Sequence, residues 1–139
     1  MVESTKVFVH GNPETSAIWS LLVNELHKNG INKIILLTPP GFGAPTPKGW
    51  SATVREYRDA AQPAMTKLGE RFAAASPQNG LAIIAANDQF AGSAENQQQV
   101  AAGVNAKVAN ITDAGHWWMI ERPALAASIL IEHWKSFNN

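Results

Sequence analysis

The sequence predicts a small α/β domain, a parallel sheet with helices packed on its faces. Three observations carry that prediction. Short β-branched and aliphatic runs at Lys6–Val9, Lys33–Leu37, Leu81–Ala86 and Ala106–Ile111 alternate with segments of helical periodicity. The second run, Ile34-Ile35-Leu36-Leu37, is apolar at consecutive positions, as in a strand covered on both faces. The chain has 139 residues, 45% of them apolar and 16% charged, enough to bury one core and read as a single domain, 1–139.

Each element has a local reason. Lys6–Val9 runs into Gly11 and Pro13, which end a strand in a loop. Ile18, Leu22 and Leu26 recur at helical spacing, with Trp19 and Val23 beside them, and Gly30 supplies the stop. Pro39–Gly49 carries too many prolines and glycines for a helix or a central strand. Thr53-x-x-Glu56 is a capping box for a helix through Tyr57. Pro63 suits the first turn of a new helix, with Met65, Leu68 and Phe72 as its apolar face. A weak helix is expected over Ser93–Val104, with Ser93 as its cap. Pro123 opens the last helix, within Glu121–Phe137, with Leu125, Ile129 and Trp134 as inward candidates. Strands alternating with helices make right-handed crossovers and a parallel sheet. In such sheets ligands sit at the carboxyl ends of the strands. His10, Thr38, Asp88 and His116 all follow strands and fall on that edge.

Composition removes several function classes. The formal net charge is zero, so no basic field exists for nucleic acid or an anionic membrane. No run of eighteen apolar residues exists to span a bilayer, and the start, Met1–Lys6, is too polar for a signal peptide. Cysteine is absent, which excludes disulfides and thiolate metal sites. A cytoplasmic location is the expectation. The four histidines show no H-x-x-x-H spacing, and no glycine-rich phosphate loop follows the first strand, so no metal or cofactor is expected.

Three segments carry the chemistry: Val7-Phe8-Val9-His10-Gly11-Asn12-Pro13, Ala86-Asn87-Asp88 and Ala114-Gly115-His116-Trp117. With Thr38-Pro39-Pro40-Gly41-Phe42-Gly43-Ala44-Pro45 and Glu121-Arg122-Pro123, they resemble the α/β-hydrolase superfamily, in its epoxide hydrolase and haloalkane dehalogenase branch. The resemblance covers nearly the whole chain, in family order. It implies that Gly11 and Asn12 form an oxyanion loop stiffened by His10. It also implies that Asp88 is the triad acid and His116 the base, with Trp117 covering the crevice.

The departure from that pattern is large. A nucleophile elbow needs two glycines four apart, and none of the ten glycines meets this spacing. Gly49-Trp50-Ser51-Ala52-Thr53 starts like an elbow but ends in Thr, and Ser51 reads as a helix start. An internal deletion of the elbow and lid, natural or engineered, is inferred, with its seam near 59–63. If the remaining strands close the gap, the sheet becomes a four-stranded, flavodoxin-like three-layer sandwich of order 2-1-3-4. Exchange of elements between two chains in a homodimer is the alternative.

Two functions follow. One is a hydrolase-like catalyst in which His116 and Asp88 activate water for a small apolar substrate, with weak turnover of activated esters. The other is a non-catalytic α/β scaffold that binds small molecules or dimerises. The missing elbow favours the second; the persistence of Asp88, His116 and the His10–Pro13 loop favours the first.

Overall fold

In the computed structural model, residues 4–39, 45, 63–75 and 79–137 are described. The expected helix near Thr53, most of the Pro/Gly loop, Trp50, Ser51 and the seam from Asp59 to Gln62 lie outside them.

The first half of the chain forms β1 (Lys6–Val9), a 3-10 turn (Ser16–Trp19), α1 (Ser20–Lys28) and β2 (Ile34–Leu37). α1 ends in a Schellman motif. Gly30 takes φ 82°, its N–H donates to the His27 carbonyl at 3.0 Å, and the Ile31 N–H donates to the Leu26 carbonyl at 3.0 Å. The positive φ there is the reason for glycine. β1 and β2 pair in parallel, Lys6 with Ile34 through Val9 with Leu37.

The second half begins with α2 (Ala64–Ala75) and β3 (Leu81–Ala85), then α3 (Ala94–Gly103) and β4 (Lys107–Ile111). The Ser93 side chain accepts the Asn96 N–H at 3.2 Å and caps α3. Asn105 takes φ 53° and closes that helix. β3 and β4 pair in parallel, Leu81 with Lys107 through Ala85 with Ile111. A short helix absent from the sequence reading, α4 (Trp118–Glu121), precedes α5 (Pro123–Lys135).

One core cluster joins the two ends of the chain. Leu22 and Leu26 on α1 meet Met119, Ala126 and Ala127, with Phe8, Ile34, Leu130, Ile131 and Trp134 packed around them. The alanines let α1 and α5 approach closely, and the stripe continues through Leu130, Ile131 and Trp134 at helical spacing. Leu125, an expected inward residue, is instead 43% exposed, because the alanine stripe turns it away from α1. α5 also reaches the second strand pair: the His133 ring donates from Nε2 to the Asn79 carbonyl at 2.9 Å, and Lys107 Nζ donates to Ser136 Oγ at 3.2 Å. His133 is therefore partly buried.

The sheet differs from the expected one. The pairs 2-1 and 3-4 form in parallel, but as two separate two-stranded sheets. Among the described residues no ladder joins β1 to β3. A cavity lies between the pairs, with Val9 of β1 and Ile83 of β3 both in its wall. Among the described residues the three-layer arrangement is also incomplete. Phe8 and Ile34 face the core cluster, while Val7, Val9, Ile35 and Leu37 share the opposite face and are 47–55% exposed. The apolar stripe of α2 is exposed as well, at Met65, Leu68 and Phe72.

This distribution sets where stability resides. Leu26 is fully buried and Leu68 is 57% exposed. Leu26→Ala is expected to lower unfolding stability by about 2–5 kcal/mol, through lost burial and a residual cavity. Leu68→Ala is expected to cost less than about 1 kcal/mol. Urea titration followed by circular dichroism compares the two, and equal losses would contradict this packing.

Candidate active site

The β3–β4 ladder continues past both strands and assembles the site. The Ala86 N–H donates to the Ile111 carbonyl at 2.9 Å, and the Asn87 N–H donates to the Ala114 carbonyl at 3.0 Å. These bonds bring the loop after β3 beside the loop after β4. His116 Nδ1 then lies 3.0 Å from Asp88 Oδ2. A carboxylate accepts, so Nδ1 carries the proton and Nε2 is left as the basic nitrogen.

Asp88 does two jobs with its two oxygens. Oδ1 accepts the Phe90 N–H at 2.7 Å and the Ala91 N–H at 3.1 Å, closing a local turn, while Oδ2 holds His116. Burial alone pushes the Asp88 carboxyl up. The hydrogen bonds from His116, Phe90 and Ala91, with attraction to His116, outweigh burial, and the carboxyl titrates below its ordinary 3.8. The side chain of Asp88 is only 8% exposed and that of His116 is 37% exposed, so the acid is shielded and the base reachable.

The His116 loop is pinned at both ends. The Gly115 N–H donates to Glu121 Oε2 at 3.0 Å, and Arg122 Nε donates to Asp113 Oδ2 at 2.8 Å. A Cβ at Gly115 would lie 3.4 Å from Glu121 Oε1 and 3.5 Å from the Asn87 carbonyl oxygen, at ordinary contact distance, so the two loops pack closely at this position. Phe90 and Trp117 flank the imidazole edge-on, with centroids 5.2 and 5.7 Å from it.

The loop after β1 forms the facing wall. His10 is 5% exposed, and its Nδ1–H donates to the Gly11 carbonyl at 2.7 Å, which stiffens the turn into Asn12. Asp88, His116, Gly11, Asn12, His10 and Trp117 all line one cavity of about 440 Å³. Thr38 and Ser93 do not line it, and Ser93 is occupied as a helix cap. Among the described lining residues there is no serine, threonine or cysteine to act as a nucleophile. No group of three or more histidine, cysteine or acidic side chains suited to a metal ion occurs among the described residues.

Sequence reasoning missed Glu14. Its Oε1 accepts the Trp117 indole N–H at 3.3 Å, linking the first loop to the last across the cavity. A Cβ at Gly11 would lie 3.4 Å from Glu14 Oε2, so a carboxylate stands beside the loop after β1. Glu14 directly follows the quoted loop motif, but its contact is with a residue 103 positions away, which no local pattern signals. Phe90 was missed for the same reason, since it stands against the ring of His116, 26 positions away.

Compared with known proteins, the chain matches no family model, no curated protein and no solved structure. No helix among the described residues is long and apolar enough to cross a membrane.

The depressed Asp88 carboxyl gives a pH dependence of known sign. A carboxyl titrating lower in the folded than in the unfolded chain stabilises the fold when ionised. That contribution is complete above the ordinary value of 3.8 and is lost as pH falls through the lower folded value. Asp88→Asn is expected to be less stable than wild type by about 1–3 kcal/mol at neutral pH. The gap should narrow below about pH 4. Denaturant midpoints measured from pH 7 to 2 check this, and a gap independent of pH would contradict it.

Proposed function

We propose that the chain is a hydrolase-like catalyst of the α/β-hydrolase type, acting on small activated esters without a covalent intermediate. The observation that supports it best is the 3.0 Å bond between His116 Nδ1 and Asp88 Oδ2, in a cavity shared with Gly11 and Asn12. In this reading the two strand pairs are the flanks of one 2-1-3-4 sheet, and the site occupies the crevice between them.

The mechanism follows from the groups present. A water molecule gives a proton to His116 Nε2 as its oxygen attacks the acyl carbon. Backbone N–H groups near Gly11 and Asn12 receive the developing oxyanion. Collapse breaks the bond to the leaving oxygen, which departs as alcohol or phenol with the proton held by His116, and the carboxylic acid remains. Asp88 fixes the tautomer and stabilises the imidazolium. Without a nucleophile the acceleration is limited to about 10³–10⁴-fold over water. The Glu14 carboxylate lowers it further by opposing negative charge beside the loop. Epoxide or haloalkane turnover through a covalent aspartyl ester is not part of this reading.

A second reading rests on a different observation. The half-exposed sheet face of Val7, Val9, Ile35 and Leu37 and the exposed stripe of α2 are two aliphatic surfaces on one chain. A second copy covering each with the other makes a closed dimer by exchange of α2. Sedimentation velocity is expected to show a concentration-dependent dimer that Leu68→Glu reduces to monomer. A monomer at all concentrations would remove this reading.

The catalytic reading is tested with a p-nitrophenyl ester. Wild type is expected to turn over with a rate that rises with pH as one group deprotonates. His116→Ala is expected to fall at least about tenfold toward the rate of free imidazole. Equal rates for the two proteins would leave the chain as a scaffold.

A further inference from the structure

We propose that the cavity selects substrates bearing a small organic cation of the trimethylammonium kind. The inference rests on the catalytic reading above and names the substrate class of the same site.

Charge and wall chemistry carry it. Among its described lining residues the cavity has two carboxylates, Glu14 and Asp88, and no lysine or arginine. The Asp88 carboxylate is committed, accepting from His116 and from two backbone N–H groups. The Glu14 carboxylate accepts only the long 3.3 Å bond from the Trp117 indole, and no cation pairs with it among the described residues. A carboxylate so lightly held keeps most of its attraction for a positive charge entering the cavity.

The walls suit an organic cation better than a metal ion. Trp19, Trp117 and Trp118 line the cavity, and Phe90 stands 6.0 Å from Trp117. Indole faces attract a weakly hydrated quaternary ammonium through the ring quadrupole, whereas a divalent ion needs a set of converging oxygen or nitrogen ligands. A volume of about 440 Å³ holds a short acyl chain with such a head group. An anionic substrate meets Glu14 instead and is rejected.

The test compares two p-nitrophenyl esters, one with an acyl chain ending in trimethylammonium and one ending in the isosteric tert-butyl group. Each rate is divided by that of free imidazole on the same ester. Wild type is expected to favour the cationic ester by about tenfold in kcat/KM, and Glu14→Gln to bring the ratio toward one. A wild-type ratio near one, with turnover still lost in His116→Ala, overturns the cation inference and leaves the catalytic reading standing. If neither ester turns over, the catalytic reading fails and binding decides the inference. Tetramethylammonium should then change tryptophan fluorescence saturably relative to sodium chloride at equal ionic strength, and less so in Glu14→Gln. No saturable change would overturn it.

Discussion

The site depends on one backbone hydrogen bond beyond the end of a sheet, from the Asn87 N–H to the Ala114 carbonyl. Parallel pairing of β3 with β4 fixes where their following loops begin, and this extra bond ties those loops to each other. Asp88 is the next residue on one side and His116 is two further along on the other. Their 3.0 Å contact is thus a result of strand register more than of attraction between the side chains. Gly115 belongs to the same close approach, its Cβ position lying within contact distance of the Asn87 carbonyl oxygen.

Around that contact two electrostatic tendencies compete. Burial of Asp88 disfavours its charge, and three hydrogen bonds more than restore it. The result is an anchored anion that orients the imidazole. On the opposite wall, Glu14 has no comparable set of donors, yet it stands beside the backbone that would receive an oxyanion. A site arranged this way is better prepared for positive charge than for negative. That asymmetry separates it from an efficient acyl-transfer centre, where every fixed dipole supports the oxyanion.

Much of the fold was legible because it rests on short-range chemistry. Consecutive aliphatic residues marked β2, Gly30 marked the end of α1, Ser93 capped α3 and Pro123 opened α5. The pairing of His116 with Asp88 was legible only through resemblance, because the two are far apart in sequence. What escaped the sequence depends on three-dimensional approach. Ala126 and Ala127 face α1 in place of Leu125, since close helix contact favours small residues. Met65, Leu68 and Phe72 form the expected stripe, but periodicity does not say what covers it. Among the described residues the four strands form two pairs and not one ladder, and strand alternation in the sequence fixes neither the spacing nor the bonding of β1 and β3.

The position of α5 in the core has a consequence for the order of assembly. The first strand–helix–strand unit is complete in sequence by Leu37, yet Leu22 and Leu26 are covered by Met119, Ala126 and Ala127 from the far end of the chain. During synthesis that unit emerges early with its apolar stripe uncovered and waits for the last helix before it can close. The interval between these events is when the nascent chain has most to gain from a chaperone.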